Sequence, residues 1–165
     1  MAYDAQSWQT FYVMVGGAAA ALTGLLFVAM SIHAKEIIAH PLLSNRAVGT
    51  LISLLTQLAL AGAVLAPGQS TLALGIEVEA AALFFLIFTG SSVIRLRPHV
   101  RATRSRLRLR LEEFGGATWI LVFLASGLSL MLKAGGGFYL LAIVMLFMFG
   151  WNVYVSWSLI ADVVE

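Results

Sequence analysis

Residues 5–34 carry no charged side chain, and neither do 47–76, 114–132 and 134–161. Runs of this length constrain the fold more than any other feature of the chain. A bilayer core about 30 Å thick takes about 20 apolar residues of helix. Inside lipid only helices or closed barrels satisfy every backbone N–H and C=O. None of the runs alternates polar with apolar residues, as a barrel strand would, so each reads as a transmembrane helix. A further run, 80–94, is shorter and follows Glu77 and Glu79. Only 11% of residues are charged, against roughly 25% in a soluble domain, so the apolar excess exceeds what one soluble core buries. The absence of cysteine excludes disulfides, thiolate metal sites and cysteine nucleophiles. The first run opens on Tyr3, Asp4 and Gln6 rather than on a basic segment and is too long for a signal sequence, which predicts a retained span.

The predicted fold is all-α: a polytopic membrane helix bundle of about five transmembrane helices in one domain, 1–165, with spans near 8–33, 47–66, 72–95, 114–132 and 138–161. Pro41, Pro67 and Pro98 then fall between spans, where proline does no damage to a helix interior. Pro67-Gly68 and Gly135-Gly136-Gly137 predict tight turns that make their flanking helices antiparallel. Orientation follows from the cations. Seven arginines crowd Arg95–Arg110, and with that loop in the cytoplasm Lys35 and Arg46 join it, leaving only Lys133 outside. The expected topology is N-out/C-in, with short outer loops and an Arg-rich cytoplasmic loop. Trp8, Phe11, Tyr12, Phe138 and Tyr139 then mark the outer interface, and Trp119 and Trp157 the inner one. No internal repeat suggests a transporter of two halves.

The polar and small residues within the spans are the candidate functional groups. Gly16, Ala20 and Gly24 recur every four residues, a flat strip suited to close helix approach within or between subunits. Ser53 and Gln57, with Gly49 and Ala61 in the same register and Thr50 and Thr56 alongside, form a polar stripe on the second span. It reads either as a water-facing pore wall in an assembly or as hydrogen-bonding glue between helices. Glu77 and Glu79 lie one to two turns into the third span. A charge at the bilayer centre costs roughly 2.5–3.5 kcal/mol. Two residues apart means about 200° around a helix, so at most one can line a pathway. They read as an outer vestibule gathering cations, as a proton-linked carboxylate, or as interfacial groups. Asn152, sharing a face with Ser156, is glue or lining in the last span.

Within the arginine segment Arg97, Arg101, Arg104 and Arg108 make one helical stripe, with Arg106 and Arg110 opposite. The segment reads as helical extensions of the third and fourth spans. Its roles are topology anchor and contact with an anionic lipid head group or an acidic cytoplasmic partner. Nucleic acid is not expected, for want of an aromatic platform or a recognised fold. His33, His40 and His99 show no HxxxH or HExxH spacing, so neither metal nor other cofactor is expected. No nucleophile elbow, phosphate loop or paired-carboxylate motif occurs, and enzymatic activity is not expected.

The stretch WQTFYVMVGGAAAALTGLLFVAMSIHAKEI, followed by PLLSNRAVGTL and LAPGQSTLALGIEVEA, resembles small bacterial integral membrane proteins over roughly the first half of the chain. The resemblance implies a bacterial inner membrane and nothing about chemistry. Two functions compete. The leading expectation is a homo-oligomeric channel or pore for small ions, with Ser53, Thr56, Gln57, Glu77, Glu79 and Asn152 along the pathway, since five helices are few to enclose one within a subunit. The alternative is a non-transporting membrane scaffold, regulator or accessory subunit, whose polar stripes only pack helices and whose arginine loop docks a partner or anionic lipid. A haem or redox subunit ranks last, because the histidines lie at span ends.

Overall fold

The computed structural model describes residues 2–103 and 106–164, with side chains over 2–94 and 118–159. About 90% of the chain is helical, and no strand occurs among the described residues. A 3-10 turn, Ala5–Trp8, leads into α1 (Gln9–Ile32), followed by α2 (Ala34–Ala39), α3 (Pro41–Leu65), α4 (Thr71–Thr103), α5 (Arg106–Leu132) and α6 (Gly137–Val164). Among the described residues, four stretches are long and apolar enough to cross a membrane: Ala5–Ile32, Pro41–Leu65, Thr71–Ile94 and Gly137–Leu159. Thr118–Leu132, within α5, is a shorter apolar helix. The chain is therefore an all-α, membrane-embedded helical protein.

Two helix boundaries differ from expectation for a definite reason. Pro41 does not separate spans but opens α3 as its first residue. There its locked φ suits a helix and its missing N–H would have no partner anyway. The helix consequently takes in Arg46, whose guanidinium donates to Ser158 Oγ of α6. Pro98 falls inside the range of α4 rather than after it, beyond the apolar stretch that ends at Ile94. The short helix α2 has no expected counterpart; His33 ends α1 and starts α2, and Ile37 is its buried residue.

The first of two compact units comprises residues 3–69 and 145–165. Its apolar core joins Ala19 and Leu26 of α1, Ile37 of α2, Ala47 and Leu54 of α3, and Leu159 of α6. The close approach of α1 and α3 is set at Gly16, where a Cβ would lie 3.0 Å from that of Ala61. Tyr12, in the first turn of α1, is fully buried. It meets Phe11 edge-on, with ring centroids 5.1 Å apart. Ahead of α1, the exposed Asp4 accepts from Ser7 Oγ at 2.6 Å and from Gln6 N at 3.1 Å. These bonds hold its carboxyl below the usual carboxylate value.

The second unit comprises Ala2 and residues 70–144. Ser70 caps α4 by accepting from Ala73 N at 3.1 Å. Buried Leu74, Val78 and Ala82 of α4, Phe123 and Leu130 of α5, and Phe138 and Leu141 of α6 form its interior. Phe138, like Tyr12, is fully buried. The α5–α6 turn is closed by one hydroxyl: Ser129 Oγ accepts from Gly137 N at 2.7 Å and donates to the Ala134 carbonyl. Ala134 N reaches back to Ser129 O at 3.2 Å, the wrap that ends many helices. That wrap places Lys133 at φ 52, where glycine is the usual occupant. Because a side chain in left-handed backbone costs about 1 kcal/mol, Lys133→Gly should raise stability by about that amount, measured as an upward shift of thermal unfolding in detergent micelles.

Candidate functional site

The polar stripe on α3 has been built into the first unit rather than left on its surface. Thr50, Ser53 and Gln57 are all buried, as are Ala47 and Ala61 of the same helix. Ser53 Oγ accepts from Asn152 Nδ2 of α6 at 2.8 Å, and both residues are buried. Toward the α3 N-terminus Arg46 donates to Ser158, whose own hydroxyl donates to Val155 O at 2.9 Å. Thr50 donates back to Arg46 O and Thr56 to Ile52 O, each at 2.8 Å. This local bonding is how hydroxyls are accommodated in apolar helices. The result is a polar ladder between α3 and α6, with rungs at Arg46–Ser158 and Ser53–Asn152.

Gln57 stands one turn beyond the second rung and does not follow this pattern. It is 1% exposed, and neither Oε1 nor Nε2 has a hydrogen-bond partner among the described residues. Burying a bare amide costs about 1–3 kcal/mol by mutational measure and more in hydrocarbon. Of the residues on this stripe, Gln57 is the one whose chemistry the packing leaves unused.

Glu77 and Glu79 of α4 point apart. Glu77 is exposed, whereas Glu79 is half-buried and turned onto α5. Its Oε1 is shielded from solvent and has no hydrogen-bond partner among the described residues. The carboxyl lies over Gly127: a Cβ there would come within 2.7 Å of Glu79 Oε1 and 2.9 Å of its Cγ. Gly75, one turn before Glu79, is the point of closest approach. A Cβ on it would sit 2.9 Å from Gly127 O and 3.0 Å from Met131 N. The α4–α5 seam is thus made of two glycines with a carboxyl laid across one of them.

The small-residue strip on α1 divides. Gly16 is buried against Ala61, while Ala20 and Gly24 are exposed. Within the chain the seam instead runs through Gly16 and Ala19, which is fully buried. Arg97, Arg101, Arg104, Arg106 and Arg108 lie outside the residues whose side chains are described. No group of three or more metal-ligating side chains occurs among the described residues. Sequence reasoning missed three contributors: Arg46 as a hydrogen-bonding partner of α6, Ser129 as the turn lock, and the Gly75–Gly127 pair. Only the glycines carried a visible signal, since Gly75 and Glu79 share a face at four-residue spacing. No family model matches this chain, and no similar curated protein or solved structure was found.

Proposed function

We propose that this chain is a non-transporting integral protein of the bacterial inner membrane, an accessory or scaffold subunit with its N-terminus outside. It engages an acidic partner or anionic lipid through the arginine-rich segment 95–113. One observation carries this reading: Ser53 and Asn152 are both buried and bond to each other at 2.8 Å within a single unit. Groups so paired hold helices together and are not free to face a water-filled axis between subunits. Clustered arginines beside spans supply about 1 kcal/mol each at an anionic surface. The bacterial membrane assignment draws on the sequence resemblance of the first half.

The test pairs two measurements. Reconstituted into liposomes, the protein should pass no ions under any monovalent gradient. In a pull-down from native membranes, changing Arg101, Arg104, Arg106 and Arg108 to Gln should abolish capture of the partner. Ion flux from the purified protein, or full capture by the four-Gln variant, would overturn the proposal.

A second reading keeps the homo-oligomeric ion channel, with α3 and the outer carboxylates along its path. What favours it is Gln57, a buried amide with both polar atoms unpartnered. Under that reading Gln57→Leu abolishes flux in liposomes.

A further inference from the structure

Glu79 carries chemistry that the partner-binding reading does not use. It sits eight residues into α4, about 12 Å along the axis from Thr71. That is well inside the apolar stretch Thr71–Ile94 and beyond the reach of the helix N-terminal dipole, which fades within the first turn. Its seat on α5 exists only because residue 127 lacks a side chain. One carboxyl oxygen is sealed from solvent without a partner, and the Leu128 backbone N–H faces the same carboxyl.

The charged and titratable groups around this seat are few. On α4 the neighbour is Glu77, exposed and about 200° away around the helix. On α5 no residue from Thr118 to Leu132 is charged. Lys133 follows, exposed, six residues or about 9 Å beyond Gly127. The α6 residues of this unit offer only the exposed Tyr139. No ion pair to Glu79 occurs among the described residues. An ionised carboxylate held this way would have no cation to offset its charge in an apolar seam, which proteins avoid by neutralising the group.

We infer that Glu79 is an intramembrane proton-binding site: the Gly127 seat accepts the neutral carboxylic acid, and the α4–α5 seam is the element that the bound proton controls. When the proton leaves, the carboxylate no longer suits the seat, so the two helices respond to proton availability. The inference goes beyond the partner-binding proposal and does not depend on it, because the arginine segment takes no part.

A membrane-soluble carbodiimide tests it on the full chain in micelles. The acid O–H adds across a C=N bond of the reagent, and the acyl group then migrates to nitrogen, giving a stable N-acylurea with no leaving group. Peptide mapping should find the adduct on Glu79 and none on Glu77. The yield should fall as pH rises, and Glu79→Gln should remove the adduct. Absence of an adduct on Glu79, equal labelling of Glu77, or a yield independent of pH would overturn the inference.

Unfolding supplies a second readout that needs no reagent. A proton held in the folded state and released on unfolding makes stability fall as pH rises above the ordinary glutamate value of about 4.3. The unfolding midpoint of the wild type should therefore drop relative to Glu79→Gln over that range, since the glutamine mimics the neutral acid at every pH. Parallel curves for the two proteins would also overturn it.

Discussion

Gly75→Val should destabilise the folded protein by about 3 kcal/mol, the upper part of the range for overpacked interiors. The atoms that a new Cβ would strike are mostly not side-chain tips that can swing away. Gly127 O and Met131 N, at 2.9 and 3.0 Å, belong to the backbone of α5. Relief requires moving the helix, and moving it loosens the packing of Leu74, Val78, Phe123 and Leu130, all buried in the same unit. Valine adds two further methyls to the clash. Since folded proteins hold only about 5–15 kcal/mol in reserve, the loss should be plain in thermal or denaturant unfolding of the purified protein in micelles. Gly62→Ala and Gly90→Ala provide the contrast. Nothing lies within 4 Å of a Cβ at either position, so alanine should act there through helix propensity and add up to about 1 kcal/mol. Unfolding of Gly75→Val at the wild-type midpoint would mean that the seam is not where the helices meet.

Gln57→Leu should stabilise the protein by about 1–3 kcal/mol, the cost of burying an amide with no partner. Leucine fills similar volume and removes both unpartnered atoms. Asn152→Leu should do the reverse, because it takes from Ser53 the donor at 2.8 Å; hydrogen bonds of this kind in membranes average about 0.6 kcal/mol. Two amide side chains, both buried on one ladder, thus predict opposite signs. Equilibrium unfolding of the two variants side by side reads them directly. A destabilised Gln57→Leu that also loses ion flux would turn the functional conclusion to the channel reading. A stabilised one without flux leaves the ladder as a packing device.

Much of the architecture was legible in the residues alone. Of the five expected spans, four recur as helices long and apolar enough to cross a membrane and 114–132 as the shorter apolar helix Thr118–Leu132, as run length and the impossibility of bare backbone groups in lipid require. The turns follow from Pro67-Gly68 and the glycines near 135–137, where Gly68 adopts φ 74 and Gly136 φ 104. The separation of Glu77 from Glu79 on opposite sides of α4 is helix arithmetic. In the candidate site, the residue types and their shared face on α3 were also apparent.

Which face of each helix is inside was not. In a soluble protein that choice is written as a contrast between apolar and polar stripes. Here lipid tails are as apolar as leucine, so a helix carries nearly the same residues toward its neighbours as toward the membrane. The four-residue strip Gly16, Ala20, Gly24 could therefore not say that only Gly16 meets Ala61 while the other two stay exposed. Nor could it say that Ser53 would find its donor 99 residues away on α6, or that Glu79 rather than Glu77 would lie on Gly127. By itself, the amino-acid sequence determined that the chain crosses the membrane as helices, because backbone hydrogen bonding in hydrocarbon permits little else. Only the tertiary structure decided which polar groups are paired and which are left over, because that depends on close approach between helices whose surfaces the hydrophobic effect cannot tell apart.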